Sequence, residues 1–363
     1  MITRIEIDGF KSFMDFELDV PPFLVVMSEN AGGKSNLIDA LMTLAGGVKP
    51  GDPLQVGAAG DRGIPAELFH QFEDGTRISG LRIAAHCDVV PFAKAEGWRA
   101  TIARAAGYDE QLSAIDAASL TVIDSGEPSS PLAEFVAASE LPSWVALNLA
   151  PSAMRGRALL SDRRPLQSNG SNLAAVLGRA SEKAAAWQIL LADAVALLPE
   201  LRDIRVNRDR DYWELELQSR GSGWMSAHTA SDGTLRVLAI LAAAHDPDHP
   251  SVLIVDEVEN GLHPSRLAEL MRRLRRITQD SLADDGPVRQ MILTTHSPVV
   301  LSALYPEHEN EVVFFSTAYG PRTVEGRKVG SLRTVVEPVA GDKLPRAVVR
   351  YILSAVQPME PPQ

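Results

Sequence analysis

The sequence predicts an α/β protein built on a mostly parallel central sheet, and three observations carry that expectation. Residues 23–27, "FLVVM", form a continuous apolar run suited to a strand buried on both faces. The run passes into "SENAGGKSN" (28–36) and then into a helical pattern. Residues 251–257, "SVLIVDE", and 291–297, "MILTTHS", are two further apolar runs that end in polar residues. With "VVFFS" (312–316), strands from both ends of the chain are expected in one sheet. Their polar residues gather at the carboxyl ends, the edge where open α/β sheets bind ligands.

Taken in order, "MITRIEIDGF" is strand-like, and "FELDV" (16–20) alternates as a half-buried strand does. After the glycine-bearing loop, Leu37, Ile38, Leu41 and Met42 keep helical spacing, and Gly46-Gly47 is expected to stop the helix. Residues 67–90 read as strands around an Asp74-Gly75 turn. Residues 100–140, rich in Ala and Ser, are expected to form short helices and loops. Helices are expected at 172–179 and 182–198. "YWELELQS" (212–219) alternates as a strand and turns at "RGSG" (220–223). Ser231 suits the N-cap of a helix carrying Leu235, Leu238 and Leu241. Leu267, Leu270, Met271, Leu274 and Ile277 make one helix face. The tail, 357–363, is expected to be disordered. No heptads, internal repeat or long charged coil interrupt this order.

The chain has 363 residues, enough for two lobes or one large α/β domain. The expected division is an N-terminal lobe over 1–100, a helical insert over 101–230 and a C-terminal lobe over 231–356. A formal net charge of -12 argues against a generally basic nucleic-acid binder. The cluster "MRRLRR" (271–276) reads either as a phosphate contact or as a solvated helix face. Cys87 is the one cysteine, so an internal disulfide and a Cys-based zinc site are excluded, and a reducing cytosol fits. No apolar signal core or membrane-length run occurs, so a cytoplasmic protein without a membrane is expected.

The loop carries the first chemistry. Its strand and helix flanks are the setting in which Gly-Lys-Ser binds phosphate. Backbone N–H groups of residues 30–35, Asn30, Ala31, Gly32 and Gly33 among them, can wrap a β-phosphate at the helix N-terminus. Lys34 would reach the β- and γ-phosphates, and the Ser35 hydroxyl would ligate Mg²⁺. Ser28 stands where the usual pattern has glycine, a cost of about 1 kcal/mol if the backbone there needs positive φ. Asp256 would hold the metal through water and Glu257 would orient or deprotonate the attacking water; the alternative is two solvated strand-end acids. His296 could bond the γ-phosphate and that water, or be structural. Ser231 is either only a cap or, with the Gly233 amide, a γ-phosphate site for another subunit.

"FKSF", "SENAGGKSNLIDAL", "LAPSAMR" with "SNGSNLAAVL", "SDGTLRVLAIL", "VDEVENGLHP" and "TTHSP" occur in that order. Together they resemble the ABC-type AAA family ATPases of the RecF/SMC-like group, including the ATPase part of OLD proteins. The resemblance implies a P-loop NTPase of ABC-ATPase type: a central sheet, an antiparallel β subdomain and a helical lobe. It implies ATP and Mg²⁺ as ligands, and a head-to-head homodimer with ATP sandwiched between subunits. Lys34 and Ser35 (Walker A) would act from one subunit, and Ser231 and Gly233 (the signature) from the other. Asp256 would serve magnesium, Glu257 would be the catalytic base and His296 the switch histidine. Asn36 would help order the loop, and Asn260, Gly261 and His263 would contact the partner subunit. Gln71 and Gln167 are candidates for the Q-loop glutamine. There are no coiled-coil arms and no Cys-x-x-Cys hook. Few residues follow His296 for a Toprim nuclease domain, so a nuclease or toxin effector is expected to be a separate protein. The implied uses are an effector-controlling ATPase in phage defence, a RecF-like DNA repair clamp, or a nucleotide-bound scaffold with negligible turnover.

Overall fold

The computed structural model describes residues 1–45, 65–89, 98–107, 118–124, 127–128, 144–246, 248, 251–283, 289–305, 307–324, 326–339, 344 and 348–352. The chain divides into two compact units, Met1–Trp144 with Pro306–Gln363, and Val145–Tyr305. The expected helix stop at Gly46-Gly47 and the tail 357–363 lie outside the described residues.

In the first unit an antiparallel sheet runs β1 (Ile2–Asp8), β2 (Phe16–Asp19), β4 (Gly80–Val89), β5 (Trp98–Gly107), β6 (Ala118–Asp124) and β7 (Glu127–Pro128), in spatial order β2-β1-β4-β5-β6-β7. β5, β6 and β7 correct the expectation of short helices and loops across 100–140. The Ala- and Arg-bearing β5 carries little β propensity, and its ladders to β4 and β6 decide the conformation instead. The turn expected at Asp74-Gly75 is present, with Gly75 at φ +84°. Before it, Phe69 and Gln71 make only isolated bridges. Cys87 is buried in β4, and burial pushes its thiol up to about 12.

Every residue of β3 (Phe23–Ser28) is buried, as its unbroken apolar run requires. β3 pairs in parallel with the first residues of β15 (Val312–Val324), joining strands from the two ends of the chain as expected. β15 extends well beyond "VVFFS" and returns as β16 (Arg327–Pro338), an antiparallel partner that hydropathy alone did not reveal. Helix α1 (Lys34–Ala45) starts directly after the glycine-bearing loop. Lys11 of "FKSF" pins it, its Nζ standing 2.5 Å from the buried Asp39 carboxylate.

In the second unit, β13 (Val252–Val255) and β14 (Gln290–Thr295) are parallel and wholly buried, with β8 (Trp144–Leu147) next to β13. Around them lie α2 (Pro151–Met154), α3 (Leu173–Ser181), α4 (Ala184–Leu197), α5 (Asp232–His245), α6 (Pro264–Ala283) and α7 (Val299–Leu304). A small sheet combines β9 (Ala158–Leu159), β10 (Leu201–Asp209), β11 (Tyr212–Ser219) and β12 (Trp224–Ser226). The turn between β11 and β12 falls at 220–223 as expected, whereas β10 was not foreseen. α5 buries Leu235, Leu238 and Leu241, and α6 buries Leu267, Leu270, Met271 and Leu274, each side chain contributing about 1.5–3 kcal/mol.

A buried ion cluster joins three of these helices. Asp193 of α4 accepts from His245 of α5 at 2.9 Å and from Arg273 of α6. Burial alone would raise the Asp193 carboxyl; His245 and Arg273 outweigh it and hold the group below its ordinary value. Asp193→Asn should therefore destabilise the protein by about 2–4 kcal/mol at neutral pH, because two basic groups lose their counter-charge. The contribution is complete above the ordinary carboxylate value of 3.8 and is lost as the pH falls through the lower folded value. Urea unfolding at neutral pH and near pH 3 should show the gap closing on acidification; a constant gap would mean that packing, not charge, sets it.

Candidate functional site

The phosphate loop lies in the first unit, between the end of β3 and the start of α1. Glu29, Asn30 and Ala31 form its exposed crest, and Gly32, Gly33 and Lys34 turn inward. Positive φ falls on Ala31 (+63°) and Gly33 (+102°). Ser28 remains extended within β3, so the strain anticipated at that position is absent.

Ser28 has another role. Its Oγ donates to the Glu29 carbonyl at 2.6 Å and accepts from Lys34 Nζ at 2.6 Å, and the Ser28 carbonyl lies 3.5 Å from the same ammonium. Lys34 is only 5% exposed, so these acceptors offset the loss of water around a buried charge. The serine also fills the space above Gly32, where a Cβ would stand 2.5 Å from that of Ser28. A Cβ on Gly33 would stand 2.3 Å from Thr334 Oγ1. Thr334 and Asn36 both donate to Ser12 Oγ at 2.8 Å, so "FKSF" braces the loop from beneath. Gln71 is exposed, and Gln167 donates through its side chain to the Pro165 carbonyl.

The second unit gathers the carboxylates. Asp256 follows β13, and its N–H donates to Leu147 of β8. Thr294 of β14 is fully buried; its Oγ1 donates to Asp256 Oδ1 at 2.7 Å and accepts from the Glu257 N–H at 2.9 Å. Glu257 sits at φ +47°, a left-handed conformation costly for a side-chain-bearing residue. Its carboxylate lies between Asn260 Nδ2 at 2.6 Å and His296 Nε2 at 3.8 Å. The His296 N–H donates to Glu259, whose second oxygen is buried without a hydrogen-bond partner among the described residues.

Ser231 is the N-cap of α5, accepting from the Thr234 N–H at 3.1 Å, and is itself exposed. A Cβ on Gly233 would stand 2.2 Å from the Gly261 carbonyl oxygen, so the start of α5 packs backbone to backbone against the loop after β13. Gly261 takes φ +72°. His263 stands apart from this group, exposed at the start of α6 and paired with Ser265.

Residues 134–302 match the family described as "AAA domain, putative AbiEii toxin, Type IV TA system". That range takes in Ser231, Asp256, Glu257 and His296 and leaves out the phosphate loop. An Smc head bound to the C-terminal winged-helix domain of ScpA aligns at 15% identity and TM-score 0.59, over 93% of this chain and 98% of that one. An Smc head with an extended coiled coil, bound to the C-terminal domain of ScpA, from Pyrococcus furiosus, aligns at 12% and 0.58 over 98% and 99%. One with a coiled coil and joint from Pyrococcus yayanosii aligns at 9% and 0.56 over the same shares. No curated protein matches the sequence.

The fold is that of the Smc head domains. Thr294, Glu259 and Arg236 stand beside Asp256, Glu257 and His296 and are not singled out by the sequence alone. Burial lowers the Arg236 guanidinium while the charges of Asp232 and Glu257 act in the opposite sense, so this α5 side chain lies in the field of Glu257. Thr294 and Glu259 both stand inside motifs already singled out; a hydroxyl on a buried strand two residues before the histidine was the available signal. The "MRRLRR" arginines have partners within the chain: Arg272 on Glu269, Arg273 on Asp193 and Glu269, Arg275 on Gln279, and Arg276 at 3.8 Å from Asp193. Among the described residues no three His, Cys, Asp or Glu side chains form a metal cage.

Gly32→Ala should destabilise by about 1–3 kcal/mol through overpacking against Ser28. Adding Ser28→Gly to that variant should recover most of the loss. Thermal unfolding of the four proteins in a double-mutant cycle reads the coupling; strict additivity would show that Ser28 is not the obstacle.

Proposed function

We propose that this protein is an ATP-binding, magnesium-dependent hydrolysing switch. In this reading it dimerises head to head around ATP and controls a separate effector. The observation that carries the reading is the Glu257 carboxylate, held between Asn260 and His296 on strained backbone beside a second, Thr294-braced carboxylate. That arrangement suits a general base more than a pair of solvated acids.

The phosphate loop fits a triphosphate. Lys34 keeps a buried, serine-held ammonium at a helix N-terminus, and Gly32 and Gly33 leave no side chain where backbone must approach. In this reading Lys34 would bind the β- and γ-phosphates, Ser35 and Asp256 would be the magnesium ligands, and Glu257 would orient and deprotonate the attacking water while His296 would steady it. Magnesium, when bound, neutralises charge on the phosphate oxygens. Ser231 and Gly233 act on the nucleotide of a second copy. The exposure of Ser231 at an α5 N-terminus that abuts Gly261 supports a partner-facing surface there, with Gly233 buried just behind it.

Control of an effector, in a defence setting, is supported by the description of the matched family as a putative toxin of a toxin–antitoxin system. The Smc heads bound to ScpA support partner binding as a use of this fold. The repair-clamp reading has less support, because Arg273 of "MRRLRR" is engaged by Asp193, although Arg272 and Arg276 stay largely exposed. Among the described residues no helix is long and apolar enough to cross a membrane.

Glu257→Gln should slow ATP turnover by about 10²–10⁴-fold and accumulate an ATP-bound dimer. Phosphate release and sedimentation with ATP and magnesium measure both. Wild-type turnover, or a monomer under saturating ATP, would remove the assigned base and the dimer.

A further inference from the structure

The turn that presents Ser231 has little structure of its own. Ala230 (φ −67°, ψ 149°) and Ser231 (φ −68°, ψ 152°) are extended and join a three-residue turn, Ala227–Thr229, to α5. No ladder runs through them. One side chain from elsewhere in the second unit reaches both ends of this connector. Arg155, the residue that closes α2, donates from Nε to the His228 carbonyl at 3.2 Å. Its Nη2 donates to the Ala230 carbonyl at 2.9 Å and to Asp232 Oδ1 at 2.8 Å. The three acceptors lie before and after Ser231, so a single planar fork brackets the serine.

We infer that Arg155 is the positioning residue for the Ser231 loop, fixing the angle at which that serine and the α5 N-terminus meet the nucleotide held by a second copy of the chain. The inference rests on the dimer reading above. The guanidinium suits the task because its donors are rigidly arranged and reach several acceptors at once, which an ammonium cannot match. Asp232 serves as the third anchor and is 63% exposed in its side chain, so Arg155 supplies direction rather than core stability. The Arg155 hydrogen bonds given above all go to the Ser231 connector, so its loss leaves nucleotide uptake by a single copy untouched and weakens only the ATP-driven meeting of two copies.

The experiment uses the full chain in the Glu257→Gln background with ATP and magnesium. Uptake is read with a fluorescent ATP analogue and dimerisation by sedimentation velocity. Arg155→Ala should leave uptake within about twofold and weaken dimerisation about tenfold or more, the cost of losing charge-assisted hydrogen bonds. Arg155→Lys should fall between, and Asp232→Ala should show a smaller loss because two of the three bonds remain. Unchanged dimerisation in Arg155→Ala overturns the inference, and so does parallel loss of uptake, which would mark a general structural role. If the Glu257→Gln chain itself takes up ATP and stays monomeric, the dimer reading fails first, and that failure is seen before any Arg155 variant is compared.

Discussion

One buried hydroxyl sets the direction of two neighbouring carboxylates. Thr294 donates to Asp256 and accepts from the backbone of Glu257, so consecutive acids at a strand end are aimed differently without a second side chain. A hydroxyl is a small group with both a donor and free lone pairs, which is why threonine can do this within a fully buried strand. The left-handed backbone at Glu257 follows from the same constraint. With its N–H taken by Thr294, the residue turns sharply out of β13 and delivers its carboxylate to Asn260 and His296. Strain of this kind persists only where surrounding contacts over-determine it.

The first unit answers a comparable problem with a different short side chain. A lysine at the base of a phosphate loop must keep its charge while losing water. Ser28 supplies the acceptor from the position where a glycine would have supplied only backbone. The substitution that looked like damage in the sequence is therefore a solvating group for Lys34. Its companion effect is steric, since the same serine limits position 32 to glycine.

Strands buried on both faces leave uninterrupted apolar runs, so β3, β13 and β14 were legible in the sequence, as were the α6 face and the Ser231 cap. β5 was not, because its Ala- and Arg-bearing stretch owes its conformation to pairing partners rather than to propensity, and the short β-branched run of β6, "ASLTVID", was obscured by its Ala- and Ser-rich surroundings. β16 escaped for a related reason: its length is set by the hairpin it makes with β15. In the site, residues that would touch nucleotide could be named from motif spacing, whereas the residues that hold them could not. Arg155 lies 77 positions from Asp232, and Asp193 lies 80 from Arg273. Such partners become visible only when the chain is folded. For that reason the two readings of "MRRLRR" could not be separated without Asp193 in view.

The contact between Gly233 and Gly261 constrains how this surface can change over time. Gly233 cannot acquire a side chain while the Gly261 carbonyl keeps its present path, and that clash is not relieved by trimming Gly261, which is already bare; Gly261 has room for a Cβ but is restricted by its own φ of +72°. Lineages drifting from this sequence are thus held to glycine at 233, and novelty in partner choice has to arise around that position.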